Sequence, residues 1–264
     1  MLNLGKIYVK TKNMDKTTGK IDPDHPFFEL IEEAYRVFEC PKPTKIGVCE
    51  NCCMDPKIEA DFFTLPLRDV PLAYLHDWFF AACSPGEMPQ LTWGYMLPRL
   101  LECLAAGESP NMIGVEIVLY RFLTGDAANW STEEWSVLDR FQRMLLEVAV
   151  TDVDPVTGKE VSTWQSDAVL CLFGRAGWPL DDLFAQLMAF RDEDIAYCWP
   201  GMWWEGKPSF NVTAHWADLK KDAEAFYLSE TWSKRMAALA GASGAERKLA
   251  DRAREIVRVI DALA

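Results

Sequence analysis

Apolar residues recur at helical spacing along most of the chain, and this periodicity constrains the fold more than any motif does. Phe27, Leu30, Ile31, Ala34, Val37 and Phe38 share one face, with Glu29, Glu32 and Glu33 on the other, until Pro41 and Pro43 end the run. A second helix is predicted over 70–83 on Leu72, Leu75, Phe79 and Phe80. A third, over 93–106, carries Met96, Leu97, Leu100, Cys103 and Leu104 inward and stops at Gly107. Asp55-Pro56 pairs a cap residue with a first-turn proline and predicts a short helix there. Ser131-Thr132-Glu133-Glu134 is a capping box, in which a hydroxyl and a carboxylate each satisfy a backbone N–H that a helix start leaves free; a helix over 135–150 follows from it.

Further helices are predicted over 163–175 and 180–192, and over 218–239 with a break at Ser229. The last, over 245–264, carries a stripe of Leu249, Ala253, Ile256, Val257, Ile260 and Leu263. The segment 115–123 is apolar throughout and suits a helix or a strand equally. The segment 198–216, rich in Trp, Gly and Pro, reads as irregular. The fold class expected is mainly α: a multi-helix, bundle-like globular protein with few or short strands. Residues 1–24 read as an irregular lead-in. Residues 25–264 form a helical globular domain, either one unit or two packed halves at 25–125 and 126–264.

At 264 residues the chain can bury a core without disulfides. No apolar run is long enough to cross a membrane, and Met1–Lys20 lacks the apolar stretch of a secretory signal. The expected compartment is therefore the cytoplasm, with reduced thiols. Cys83, Cys103, Cys171 and Cys198 each stand in apolar surroundings and read as small hydrophobes. The net charge of −13 argues against nucleic acid or an anionic membrane as partner. The charge is uneven: the segment 126–205 holds fifteen acidic residues against five basic ones.

The cluster Cys49-Glu50-Asn51-Cys52-Cys53 is the one stretch with metal-ligand spacing, since a Cys-x-x-Cys knuckle turns two thiolates toward one tetrahedral site. Cys40 or Cys53 could add a third ligand, and His25 or His76 a fourth; packing thiols are the plain alternative, and redox chemistry lacks the strand-to-helix context. No cofactor is required by the sequence, and zinc is the candidate at Cys40, Cys49, Cys52 and Cys53. His76 and Asp77 are adjacent and so face different directions on a helix, and His215 lies in the Trp-rich segment. Arg191-Asp192-Glu193-Asp194 reads first as a solvated helix end. No phosphate-binding glycine loop, nucleophile elbow or metalloprotease helix is present, so the expectation leans away from an enzyme.

Nine of the eleven tryptophans fall between Trp130 and Trp232, overlapping the acidic segment. Large indoles on an acidic surface have the ingredients of an interface: anchors, and charge to steer a basic partner. The residues expected to carry such an interface are Asp192, Glu193, Asp194, Trp199, Trp203, Trp204 and Glu205. The plain alternative is that the indoles fill the core of the carboxy-terminal half.

The stretch from Phe38 to Gly107 carries Pro41-x-Pro43, Cys49-x-x-Cys52-Cys53, Leu65-Pro66-Leu67, Leu72-x-x-Leu75 and Tyr95-Met96-Leu97-Pro98-Arg99-Leu100-Leu101-Glu102. In these residues it resembles an uncharacterised bacterial protein family, over roughly a quarter of the chain. The resemblance implies no reaction. Some small acidic proteins similar to that family serve as immunity proteins beside secreted toxins. The function expected is thus that of a non-enzymatic protein-binding protein, an immunity or antitoxin-like inhibitor of a basic toxin domain. The alternative is a zinc-stabilised module or metal-dependent enzyme centred on Cys49, Cys52 and Cys53.

Overall fold

The computed structural model describes residues 19–48, 54–81, 88–152, 164–210, 212–242 and 246–264. Within them the helix-start chemistry is realised as the sequence predicts. The Ser131 hydroxyl accepts from Glu134 N and the Glu134 carboxylate accepts from Ser131 N at 2.7 Å, opening α5 (Thr132–Thr151), the longest helix described. Ahead of it run α1 (Phe28–Val37), α2 (Pro56–Asp61), α3 (Leu72–Phe80) and α4 (Gln90–Ala105). Asp55 caps α2 through a 2.8 Å bond from Lys57 N. After α5 come α6 (Ser166–Arg175), α7 (Leu180–Met188), α8 (Asp192–Cys198), a hairpin of β1 (Gly201–Trp204) and β2 (Lys207–Phe210), then α9 (Lys220–Tyr227), α10 (Glu230–Gly241) and α11 (Arg247–Leu263). The fold is mainly α.

Where the sequence left a choice, tertiary contacts made it. The open segment 115–123 begins as a 3-10 turn, Val115–Ile117, and goes on in turns rather than a strand. The predicted 180–192 helix is α7, ending earlier at Met188, with α8 a separate helix that begins at Asp192 and runs beyond the predicted range, and the break at Ser229 separates α9 from α10. The supposedly irregular 198–216 contains the hairpin, which is antiparallel and pairs Gly201 with Phe210 and Trp204 with Lys207. Its two-residue loop is of the type I′ kind, with positive φ at both Glu205 (47°) and Gly206 (78°). Glycine at 206 meets that demand freely; glutamate at 205 does not.

One contiguous apolar core runs through both halves of the chain, with Trp78, Trp93, Trp216 and Trp232 fully enclosed in it. Three of these indoles have their N–H satisfied: Trp78 by Ile46 O at 2.7 Å, Trp93 by Thr124 Oγ1 at 2.9 Å, and Trp216 by an Asp167 oxygen at 2.9 Å. Two arginines serve as buried clamps. Arg121 donates to the carbonyls of Trp78, Phe79 and Ala81, collecting the acceptors that the end of α3 leaves free. Arg99 donates to Glu102 at 2.9 Å, with the side chains only 1% and 4% exposed, and to Gly19 O at 2.6 Å. The end of the lead-in is thereby pinned to the core rather than loose. Among the described residues no helix is long and apolar enough to cross a membrane.

Candidate functional site

The hairpin separates the residues expected to form one surface. Trp199 is 3% exposed and packs on Phe210 and Tyr227, and Gly201 has no Cβ because one would meet the Trp199 ring at 2.3 Å. It is an interior anchor for the hairpin. Trp203 faces α11: its backbone N–H donates to Glu255, and the Arg258 guanidinium lies 4.1 Å over its ring. Trp204, at 63% exposure, points the other way, as alternation along a strand requires, and shares that outer face with Met202. Asp192 is bound by Arg235 and Asp194 by Arg191, while Glu193 and Glu205 are exposed. Of the seven residues, Trp204, Glu193 and Glu205 alone are exposed and without an ion pair or ring contact among the described residues.

Cys49, Cys52 and Cys53 lie outside the described residues. Cys40 is a free, partly exposed thiol, and desolvation together with the Glu134 charge pushes its pKa up.

Carboxylates and indoles of the acidic segment do meet, at a place the sequence did not mark. The end of α6 is the starting point. Gly177 N donates to Gly174 O and Trp178 N to Phe173 O, both at 3.1 Å, with φ of +104° at Gly177: a Schellman ending. The accompanying apolar contact is Phe173 against Trp178, centroids 5.0 Å apart. The chain is turned so that Trp178 stacks on Trp135 from the second turn of α5, at 5.6 Å and 27°. The loop 123–127 then closes against this pair, because Gly125 presents bare backbone to Trp178 and donates to Ala176 O at 2.8 Å.

The result is an open cleft of about 430 Å³. Leu123, Trp135, Trp178 and Pro179 give it an apolar floor, and Asp126, Asp139 and Asp182 set three carboxylates around it against one guanidinium, Arg143. Asp139 holds Arg143 in a two-point grip, 2.9 Å to Nε and 3.3 Å to an Nη. Asp126 has one oxygen on Ala128 N, and among the described residues it forms no ion pair and the exposed Asp182 no hydrogen bond. Leu123 is 59% exposed and Trp135 partly so. Trp178 Nε1, buried in the floor, has no acceptor. Comparison with family models, curated proteins and solved structures finds no match to this chain.

A second polar cluster lies elsewhere. Thr213 N donates to Asp167 at 2.6 Å and its hydroxyl to Glu116 at 2.8 Å, so one threonine bridges two carboxylates far apart in sequence. Asp167 is nearly buried. Desolvation raises its pKa, the Glu116 charge adds to the rise, and the bonds from Thr213 and Trp216 oppose it. Both Asp167 oxygens are used in holding the 212–219 segment to α6, so the cluster works as a clasp. His215 Nε2 and Glu116 Oε2 both crowd the space a Cβ on Gly114 would take, which keeps that backbone close to the clasp. Spacing could have suggested neither group of residues. The cleft draws on three segments between 123 and 186, and the clasp on positions 116, 167 and 213.

Proposed function

We propose that the protein binds a basic partner protein, and that the cleft between α5, the 123–127 loop and the start of α7 is where it does so. The observation that carries this is the pairing of an apolar floor, the exposed Leu123 and the partly exposed Trp135, with a carboxylate excess in the same cleft. Aromatic anchors supply affinity once water is excluded, and an acidic surround raises the encounter rate with a cation. The wider field supports it, since the segment containing the cleft carries most of the chain's net charge of −13. An inhibitor of a cationic enzyme, as an immunity protein is, gains from such a field in speed of association, and this remains the finer form of the proposal. Trp204, Met202 and Glu205, on the hairpin's outer face, are a further exposed surface, though with Lys207 opposite Trp204 it lacks the same carboxylate excess.

The test is equilibrium binding of labelled basic peptides to the full chain at low and at physiological ionic strength. Binding is expected at low ionic strength, weaker with added salt, and largely lost when Asp126, Asp139 and Asp182 are together replaced by Asn. Affinity that is indifferent to the triple replacement would remove the cleft from the proposal.

A further inference from the structure

We infer that the group the cleft accepts is an arginine guanidinium, presented by an extended segment of the partner. This rests on the reading of the cleft as the docking site of a basic protein, and it specifies what enters.

Shape is the first argument. At about 430 Å³ and open to one side, the cleft has room for a long side chain that stays attached to a chain outside it. The second argument is the floor. Trp135 is partly exposed in the cleft lining, its ring backed by the buried Trp178 stacked 27° off parallel, and so offers an indole surface rather than an aliphatic one. A planar, weakly hydrated guanidinium stacks on such a surface, whereas a compact, strongly hydrated ammonium gains less there.

The third argument is the pairing already present. Asp139 already holds Arg143 by two nitrogens through both of its oxygens, so the carboxylates left to meet an incoming cation are Asp182 and Asp126. Asp182 lies near enough to Arg143 to act on its charge and yet forms no bond of its own among the described residues. An incoming guanidinium therefore finds Asp182 and one oxygen of Asp126 ready, and no resident cation need leave. With three carboxylates and one guanidinium, the lining has an excess of acceptors that a single added cation begins to match.

The experiment compares three otherwise identical fluorescein-labelled peptides, containing arginine, lysine or citrulline, by anisotropy on the full chain at low ionic strength. Citrulline keeps the shape of arginine and lacks its charge. The arginine peptide should bind about tenfold more tightly than the lysine one, and the citrulline peptide more weakly than either. Trp135→Leu should bring the arginine and lysine affinities together. Asp182→Asn, an exposed change that leaves the core untouched, should weaken both by about the same factor. Equal affinity for arginine and lysine in the unaltered protein, lost on Asp182→Asn, would overturn the guanidinium inference and leave the basic-partner reading standing. Binding of neither cationic peptide would remove both.

Discussion

Gly125 lies so close to Trp178 that a Cβ on it would stand 2.3 Å from the Trp178 backbone nitrogen. Backbone cannot yield as a flexible side-chain end can. Gly125→Ala should therefore push the 123–127 loop off the end of α6 and cost about 2–4 kcal/mol, in the upper range for overpacking. Urea unfolding reads the cost, and near-ultraviolet circular dichroism reads the disturbed Trp135–Trp178 stack. A substitution that shifted neither would show that the loop is not seated as described.

Asp167 makes stability depend on pH in a defined direction. Its folded pKa is raised above 3.8, so over a window beginning there the native state keeps a proton that the unfolded chain has released. Rising pH through that window lowers stability, until the folded pKa is passed and the slope ends. Asp167→Asn cannot titrate, and it offers one acceptor to two donors, Thr213 N and Trp216 Nε1. The stability advantage of the unaltered protein over this variant should thus shrink as pH rises above 3.8, until the folded pKa is passed. Denaturant melts of the pair across that range test the sign; an advantage that grows with pH would contradict it.

Glu102 neutralises Arg99 inside α4 and also accepts from the Tyr35 hydroxyl at 2.8 Å. Glu102→Ala removes the counter-charge from an enclosed guanidinium that still donates to Gly19 O and Val70 O. The expected loss is about 3–5 kcal/mol. Arg99→Met combined with Glu102→Leu, of similar volume and uncharged, should recover most of it, which a double-mutant cycle by thermal or urea unfolding would measure.

Glu205 occupies the left-handed region at φ 47°, where a residue with a Cβ is held at a cost. Asn-Gly is the sequence that a type I′ loop favours, so Glu205→Asn should raise stability by about 0.5–1 kcal/mol. Since Glu205 does not line the cleft, binding of arginine peptides there should not change with it. A drop in melting temperature would mean that the loop owes its shape to something the glutamate supplies.

The helices were legible because their signals are local. The capping box at Ser131, Asp55 before Pro56, Gly107 at the end of α4 and the apolar stripe of α11 each act within a turn or two, and the backbone obeys them wherever it packs. The hairpin was not legible, for its glutamate breaks the usual turn signature and its strands are short. Nor could spacing tell Trp199 from Trp204. One fills the space left by Gly201 and the other points outward, a difference fixed by the face on which α11 and Tyr227 pack.

What the amino-acid order determined alone is therefore the helical class, most element boundaries to within a few residues, and the concentration of charge and indoles in the latter half. Which carboxylates meet which indoles was decided only by the tertiary structure. The Schellman turn at Gly177 and the bare backbone at Gly125 bring positions 123, 135, 178 and 182 to one cleft. The physical reason is range. Caps and periodicity are read over neighbouring residues, while a site made of packed surfaces exists only once distant segments have excluded the water between them.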